Sequence, residues 1–287
     1  MRHKDFTVFI LTHGRPDNVR TVNTLRDTGY TGRICFIIDN EDKTAEKYYK
    51  NFGKENVFMF DKKAYADKVD EGNNFDERRT ITHARNACFD IAKQIGITYF
   101  MELDDDYTEF KFKINHEFQY PNGRHIVKTL LDNLLDNLLD FYKSIDAKSI
   151  AMSQGGDWIG GRNGGLGNYK FKRKCMNSFI CSTERTFQFI GAMNEDVNTY
   201  TTLGSRGDIF FTVAFMGLEQ MSTQSQSGGI TDMYLKYGTY CKAFTTVMMM
   251  PSSVHVNMMG QSYKRLHHSI KWKNTVPLII RESLKKL

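Results

Sequence analysis

The first hundred residues alternate short apolar runs with stretches of helical periodicity. The apolar runs are rich in β-branched and aromatic residues, as buried strands are, and cover 6–12, 33–38, 57–60 and 99–103. The intervening stretches predict helices near 16–29, 44–52 and 77–95. This β-α-β-α-β-α-β order predicts an α/β fold with a mostly parallel central sheet and helices on both faces.

The second half of the chain has a different pattern. Leucines at helical spacing predict a long helix over 125–145, and its apolar stripe faces either the core or a dimer partner. Seven glycines in 155–167 favour a loop. We expect a strand at 176–181, a helix at 207–217 and a Gly/Ser/Gln-rich connection at 222–229. No linker separates the two halves, so we expect them to share one cleft.

Composition places the chain among ordinary globular proteins. It has 287 residues, of which 40% are hydrophobic and 25% charged. No apolar run reaches the roughly 18 residues of a membrane helix, and the N-terminal run lacks a signal-peptide cleavage site. Five cysteines without CxxC spacing indicate reduced thiols in a cytoplasm. The net charge of +6 is a modest bias toward polyanionic partners such as nucleotides or nucleic acid.

An acidic triplet ends the strand predicted at 99–103. Asp104, Asp105 and Asp106 cannot stay ionised in a core without partners, so this tip is expected in a cleft at the sheet edge. Residues at i and i+2 of an extended chain face the same side, so Asp104 and Asp106 could share a divalent cation. The alternative is a solvated acidic turn.

The loop after the first predicted strand suits a nucleotide. Thr12, His13 and Arg15 offer a hydroxyl, a ring and a guanidinium at a helix start. Asp39, at the end of the second strand, can accept hydrogen bonds from a base or ribose. Capping roles are the alternative for each. The chain has no GxGxxG and no P-loop, which disfavours dinucleotide binding and ATP hydrolysis.

Further charged residues are candidates for the same cleft. Arg79 and Arg85 lie before and within the helix that leads to the acidic strand. Arg85 could bridge an aspartate and a diphosphate, or form a surface salt bridge. Glu195 and Asp196 could remove a proton from an acceptor hydroxyl, or form a surface turn. His255 could be a third metal ligand, or an ordinary strand residue.

Two basic segments are interleaved with aromatic residues, as in nucleic-acid-binding surfaces. One covers 169–174, after the glycine-rich stretch that contains Trp158, and includes Lys172 and Arg173. The other covers 264–273, with His267 and Trp272 among its lysines. Such a mixture suits phosphate contact and base stacking, and a solvated basic face is the alternative.

Taken in chain order, the segments THGR, IIDNED, HARNA, MELDDDY and NED resemble those of GT-A-fold glycosyltransferases. More narrowly, the chain is similar to the TET-associated glycosyltransferases of bacteriophages, which transfer sugars onto hydroxymethylated pyrimidines in phage DNA. The resemblance implies a UDP-sugar donor, a divalent cation (Mn²⁺ or Mg²⁺) and a carboxylate base. It also implies one GT-A-like domain over 1–287, located in a cytoplasm, in which 1–110 bind the nucleotide sugar and 111–287 the acceptor.

The residues then have the following expected roles. In the resemblance Asp104 faces the donor ribose and the metal, Asp106 holds the metal, and Asp196 or Glu195 serves the acceptor hydroxyl. The further donor-site candidates are Thr12, His13, Arg15, Asp39, Arg79, Arg85 and Asp105. His255 is the further metal candidate, and the acceptor candidates are Trp158, Lys172 and Arg173.

Other functions fit parts of the same pattern. A glycosyltransferase could act on a polysaccharide, glycan or lipid acceptor, although the lack of a membrane segment disfavours lipid. A nucleotidyltransferase shares a nucleotide-binding sheet with an acidic metal site, and would incorporate nucleotide instead of releasing UDP. A non-enzymatic nucleic-acid binder would use the basic segments and would keep binding without the three aspartates.

Overall fold

The computed structural model describes residues 1–71, 78–113, 125–126, 128–154, 157, 174–221, 230–238, 240–260 and 264–275. In chain order the strands are β1 Phe6–Leu11, β2 Ile34–Asp39, β3 Val57–Phe60, β4 Tyr99–Asp104, β5 Tyr107–Phe112, β6 His125–Ile126, β7 Ser149–Gln154, β8 Ser178–Ser182, β9 Phe210–Gln220, β10 Val254–Met259 and β11 Arg265–Ile270. The α-helices are α1 Arg20–Asp27, α2 Ala45–Phe52, α3 Lys62–Ala66, α4 Thr82–Gln94, α5 Leu131–Ser144, α6 Glu195–Ser205, α7 Ile230–Tyr237 and α8 Cys241–Met249.

Nine of these strands form one sheet, in the order β3-β2-β1-β4-β8-β7-β9-β5-β6. The first four are mutually parallel, as predicted, and carry the helices α1 to α4 between them. β8 pairs antiparallel with β4, and β7 and β9 run parallel to each other. The α/β class with a central sheet flanked by helices is confirmed, and every antiparallel pairing in this sheet involves β5 or β8.

Apolar side chains cover both faces of this sheet. Successive residues of β1 point to opposite faces, so Val8 and Ile10 belong to one apolar cluster and Phe9 and Leu11 to the other. Leucines of α1 and α5 join the first cluster, whereas α4 and α6 contribute to the second. The leucine stripe of α5 therefore faces the core, as predicted, and is not available as a dimer seam.

Two sequence predictions fail in the second half. The predicted helix over 207–217 is wrong, because residues Phe210–Gln220 form strand β9, between β7 and β5. A strand buried from both sides shows no alternation, so its apolar run resembles a buried helix. The long helix begins only at Leu131, and His125–Ile126 pair with β5 instead.

The last part of the described chain is a small layer of its own. Helix α8 packs on a two-stranded antiparallel hairpin of β10 and β11, which does not join the large sheet, and α7 packs on α8. A 3₁₀ turn at Trp272–Thr275 follows and packs on α6.

All five cysteines are free thiols, four of them buried. Among the described helices, none has both the length and the apolar character needed to cross a bilayer.

Candidate active site

The acidic triplet lies where β4 ends, at the carboxyl edge of the parallel strands. Asp104 is the last residue of β4, and Asp105 and Asp106 form the turn into β5. The chain thus bends where an extended strand was expected. The predicted pair nevertheless converges, because the Nε2 amide of Gln220 lies 3.3 Å from Oδ2 of Asp104 and 2.9 Å from Oδ1 of Asp106.

Asp105 points away from that pair, into the loop after β1. It is only 3% exposed. Its Oδ2 accepts a hydrogen bond of 2.7 Å from the hydroxyl of Thr12 and lies 3.3 Å from Nε of Arg15. The hydroxyl of Tyr48 accepts the backbone N–H of Arg15 and lies 2.9 Å from Oγ1 of Thr12. Asp105 therefore ties the first loop to the acidic tip.

A second part of the candidate donor site surrounds Asp39. Nδ1 of His13 lies 2.7 Å from Oδ2 of this carboxylate, and Nζ of Lys62 lies 3.5 Å from it. The hydrogen bond to Asp39 raises the pKa of His13. Burial acts to raise the pKa of Asp39, but His13 and Lys62 outweigh it and the pKa is lowered. The ring of His13 is half exposed, so it could contact a ligand.

Arg85 lies at the centre of the site. Because it is buried, the alternative prediction that it forms a surface salt bridge is wrong. Its side chain is 1% exposed. Nε lies 3.1 Å from Oε1 of Glu195, and Nη2 lies 3.1 Å from Oδ1 of Asp104. Nη1 lies 3.5 Å from Oε2 of Glu102, a buried residue of β4. Through Arg85, the acidic tip of β4 is joined to the start of α6.

This centre has more acidic side chains than basic ones. Three carboxylates surround one guanidinium, and Asp106 adds a fourth close by. Burial raises the pKa of Asp104, and Asp106 and Glu195 raise it further by repulsion, whereas Arg85 lowers it. Burial likewise raises the pKa of Glu102. Such an excess of carboxylates favours a bound cation.

Glu195 and Asp196 open helix α6, and both are 7% exposed. They are therefore not a surface turn. The Asn194 backbone before them is left-handed, with φ of 53°. The N–H of Val197 donates to Oδ1 of Asp196 over 2.7 Å. Burial, followed by repulsion from Glu195, raises the pKa of Asp196 to about 6. This carboxylate can thus exchange a proton near neutral pH.

The backbone before α6 is held by close contacts. The N–H groups of Gly191 and Ala192 donate to the carbonyls of Asp70 and Glu71 over 2.9 and 2.8 Å. Gly191 has φ of +84°, and a Cβ there would lie 2.3 Å from Nδ2 of Asn198. Only glycine fits this position, so the geometry of the carboxylate pair depends on it.

The described contacts of this centre do not include the remaining predicted residues. Arg79 is partly buried in the segment before α4. His255 lies on β10, where its Nε2 is 3.2 Å from Nδ2 of Asn257, and its role as a metal ligand stays a prediction. Trp158, Lys172 and Arg173 lie outside the described residues. Lys174, at the end of that basic segment, forms an ion pair with Asp157.

Two residues of the centre had no role in the sequence analysis. Gln220 carried no signal, because β9 was expected to be a helix that ends before it. Glu102 was readable in principle, since a carboxylate inside an apolar strand needs a buried partner. Arg85, one helix earlier in the chain, is that partner.

Comparison with known proteins identifies relatives of this chain. The family of TET-associated glycosyltransferases matches residues 6–229. No protein with a curated description matches.

Among solved structures, glucosyl-3-phosphoglycerate synthase from Mycobacterium tuberculosis with Mn²⁺, UDP and phosphoglyceric acid superposes with a TM-score of 0.47 and 9% identity, over 92% of this chain and 86% of that one. The same enzyme with Mn²⁺ and UDP-glucose superposes with a TM-score of 0.47 and 10% identity, over 92% of this chain and 86% of that one. TarS from S. aureus superposes with a TM-score of 0.40 and 12% identity, over 84% of this chain and 65% of that one.

Proposed function

The chain belongs to the TET-associated glycosyltransferases, and from that premise we propose that it transfers a sugar from a UDP-sugar to 5-hydroxymethylated pyrimidine in DNA. The observation that carries the proposal is the connection through Arg85 between Asp104 and Glu195. This connection joins the acidic tip, which could bind a cation, to the two carboxylates that could accept the proton, Glu195 and Asp196. Transfer from a nucleotide sugar to a hydroxyl requires both groups in one place.

The donor end of the proposed site is the carboxyl edge of β1, β2 and β4. Ligands of open α/β sheets bind beyond such an edge. His13 and Arg15 are partly exposed there, and Asp39 is held by His13 and Lys62. We assign the base and ribose to the neighbourhood of Asp39, and the diphosphate to the side of Arg15. Asp105 acts indirectly, since it holds Thr12 and Arg15 in place.

Asp104 and Asp106 fit a divalent cation in their chemistry. Both are carboxylates, the oxygen ligands that Mg²⁺ and Mn²⁺ prefer, and both contact a single amide, so they lie close together. Among the residues that the structure describes, no group of three or more His, Cys, Asp or Glu side chains could hold a metal. Two carboxylates suffice where substrate phosphates supply further oxygens. A cation bound there would offset the charge that builds on the departing diphosphate.

Asp196 is the proposed base. The acceptor hydroxyl oxygen forms a bond to the anomeric carbon of the sugar, the bond from that carbon to the diphosphate oxygen breaks, and UDP leaves. The hydroxyl proton passes to the carboxylate of Asp196. Nε of Arg85 donates a hydrogen bond of 3.1 Å to Glu195. Among the described residues, no cationic side chain is hydrogen-bonded to Asp196, which accepts the N–H of Val197.

The acceptor assignment has the simplest test. We expect mass spectrometry to detect one added hexose or pentose on DNA that contains 5-hydroxymethylcytosine or 5-hydroxymethyluracil, after incubation with a panel of UDP-sugars and Mn²⁺. Parallel reactions contain unmodified DNA and ordinary glycan acceptors. Transfer to the glycans alone would contradict the DNA assignment, and incorporated nucleotide would indicate a nucleotidyltransferase instead.

The metal assignment is tested by Asp106→Ala. We expect this variant to lose transfer activity while its unfolding curve stays close to that of the wild type, because the side chain is a cleft ligand and not a core residue. Asp140→Ala is the matched control, since Asp140 is a half-exposed residue of α5. Full activity of Asp106→Ala in the presence of a chelator would rule out the metal-assisted mechanism.

A further inference from the structure

The positive charge of the chain is concentrated at one end. Between residues 233 and 281 there are seven Lys or Arg residues and no Asp or Glu. Residues 1–232 contain 30 Lys or Arg residues against 32 Asp or Glu residues. The excess of positive charge therefore comes from the C-terminal segment, which lies beyond the family match that ends at 229.

This segment also exposes apolar side chains that are normally buried. Of the eleven large hydrophobic residues that are exposed in the described chain, seven lie here, namely Leu235, Tyr240, Phe244, Met248, Met258, Met259 and Leu266. Exposed cations lie among them on the hairpin and after it, at Lys264, Arg265, Lys271 and Lys273. A surface that combines cations with apolar and aromatic side chains suits a polyanion that also offers flat apolar faces.

The same segment contacts the start of α6, the helix that carries the candidate base. Nδ2 of Asn194, the residue before Glu195, donates to the carbonyl of Lys242 and to Oγ1 of Thr246, each over 2.7 Å. Further along α6, the ring of Tyr200 stacks on Trp272 with their centroids 5.9 Å apart. A ligand held on α8 or the hairpin is therefore held beside the start of α6.

Lys242 links the two regions electrostatically. Its charge acts on Asp196, where it favours the ionised carboxylate, and on the rings of His267 and His268. Burial, then His267 and Lys242, lowers the pKa of His268 to about 4. That ring is neutral at physiological pH, so the charge of the surface comes from lysine and arginine.

We infer that the surface formed by Lys242, Lys264, Arg265, Lys271 and Lys273, called here the basic docking surface, binds the phosphate backbone of the DNA acceptor and presents it to Asp196. The inference rests on the proposed function and specifies where the acceptor lies. Among hydroxyl acceptors, DNA matches the surface best, because duplex DNA carries a negative charge about every 1.7 Å and stackable bases. A neutral glycan would gain nothing from these cations.

The test compares two double charge reversals. Lys264→Glu with Arg265→Glu removes charge from the basic docking surface. Lys50→Glu with Lys93→Glu makes the same change in net charge at exposed positions in the last turns of α2 and α4. Helices that follow parallel strands run back across the sheet, so these two lysines lie at the edge opposite the site.

We measure binding to a 20-base-pair duplex with one 5-hydroxymethylcytosine by fluorescence anisotropy between 50 and 200 mM salt. We expect Lys264→Glu/Arg265→Glu to weaken binding at least tenfold at the lowest salt. The slope of log K against log salt should shrink by about 2, since each phosphate contact contributes about 0.9. Lys50→Glu/Lys93→Glu should stay within about twofold of the wild type. Equal losses in both variants, or no loss in the first, would overturn the inference.

Kinetics separate this inference from the proposed function. If the wild type transfers no sugar to any DNA, the proposed function fails. If it does transfer, Lys264→Glu/Arg265→Glu should raise the KM for DNA at least tenfold and leave the KM for the UDP-sugar unchanged; an unchanged KM for DNA would refute the docking surface alone. Tighter binding of poly(glycerol phosphate) than of the duplex would show that DNA is the wrong polyanion.

Discussion

Two regions of this molecule use positive charge in opposite ways. At the centre of the site, one buried guanidinium, that of Arg85, contacts Glu102, Asp104 and Glu195 at 3.1 to 3.5 Å. On the basic docking surface, several cations lie exposed in a segment without a single acidic residue between 233 and 281. The first arrangement fixes the positions of side chains, whereas the second creates a field that can attract a polyanion over a distance.

The difference follows from solvation. A buried ion has lost its water and must replace it with partners, so removal of one partner leaves the others uncompensated. An exposed ion keeps its water and contributes to binding roughly in proportion to the number of phosphates it neutralises. Substitutions at Arg85 should therefore act on folding and geometry, and those on the hairpin on affinity and salt dependence.

The largest effect is expected from Arg85→Met. The substitution keeps much of the side-chain volume but leaves the carboxyl groups of Glu102, Asp104 and Glu195 without their cation. Loss of one partner of a buried ion pair typically costs about 3–5 kcal/mol. We expect a correspondingly lower midpoint in urea unfolding. Arg20→Met, at an exposed position of α1, is the control and should unfold like the wild type. An Arg85→Met midpoint equal to that of the wild type would contradict the role of the buried charge centre.

The second effect concerns the candidate general base, Asp196, and its neighbour Glu195. We expect Asp196→Asn to lower the turnover number about 10²–10⁴-fold and to change donor affinity little, because asparagine keeps the shape of aspartate and cannot accept the proton. Single-turnover transfer and donor titration measure the two quantities. Glu195→Gln is the comparison; if it is the inactive variant and Asp196→Asn is active, the roles within the pair are reversed.

The third effect is the pH dependence of that step. The pKa of Asp196 is raised to about 6, chiefly by burial and by Glu195. A base works only when ionised, so turnover should fall about tenfold per pH unit below 6 and level off above it. The acidic limb should vanish from the residual activity of Asp196→Asn. A wild-type profile that stays flat down to pH 5 would speak against Asp196 as the base.

Much of the first half of the chain could be predicted from sequence. Strand β3 occupies the predicted residues 57–60, and β4 ends at Asp104, the first residue of the acidic triplet. These elements show strong local signals, since apolar strands there alternate with helices. The partners of Arg85 were harder to predict, because Glu195 lies 110 positions away in the chain and no local pattern reports that contact.

The second half of the chain was poorly predicted for a physical reason. Strand β9 is buried between two neighbours and lacks alternation, so its end at Gln220 was not seen next to Asp104 and Asp106. The excess of basic residues near the C-terminus was readable from sequence. The attachment of this segment to the start of α6 was not, because it depends on the contacts of Asn194 with Lys242 and Thr246.

The smallest expected effect completes the comparison. Lys264 and Arg265 are both exposed, and no acidic residue lies between 233 and 281 to pair with them locally. Exposed substitutions of this kind usually change stability by less than about 0.5 kcal/mol. We therefore expect Lys264→Glu/Arg265→Glu to unfold in urea at nearly the wild-type midpoint, although it reverses two charges and Arg85→Met removes only one.

The same preparation should have lost DNA affinity, so stability and binding can be compared on one sample. A marked drop in the unfolding midpoint would mean that these cations hold the hairpin on α8 instead of facing a ligand. In that case the cations of the hairpin would serve the structure, as Arg85 does, and the proposed difference between the two regions would be wrong. An unchanged unfolding midpoint together with weakened DNA binding would show that Lys264 and Arg265 serve acceptor binding and not stability.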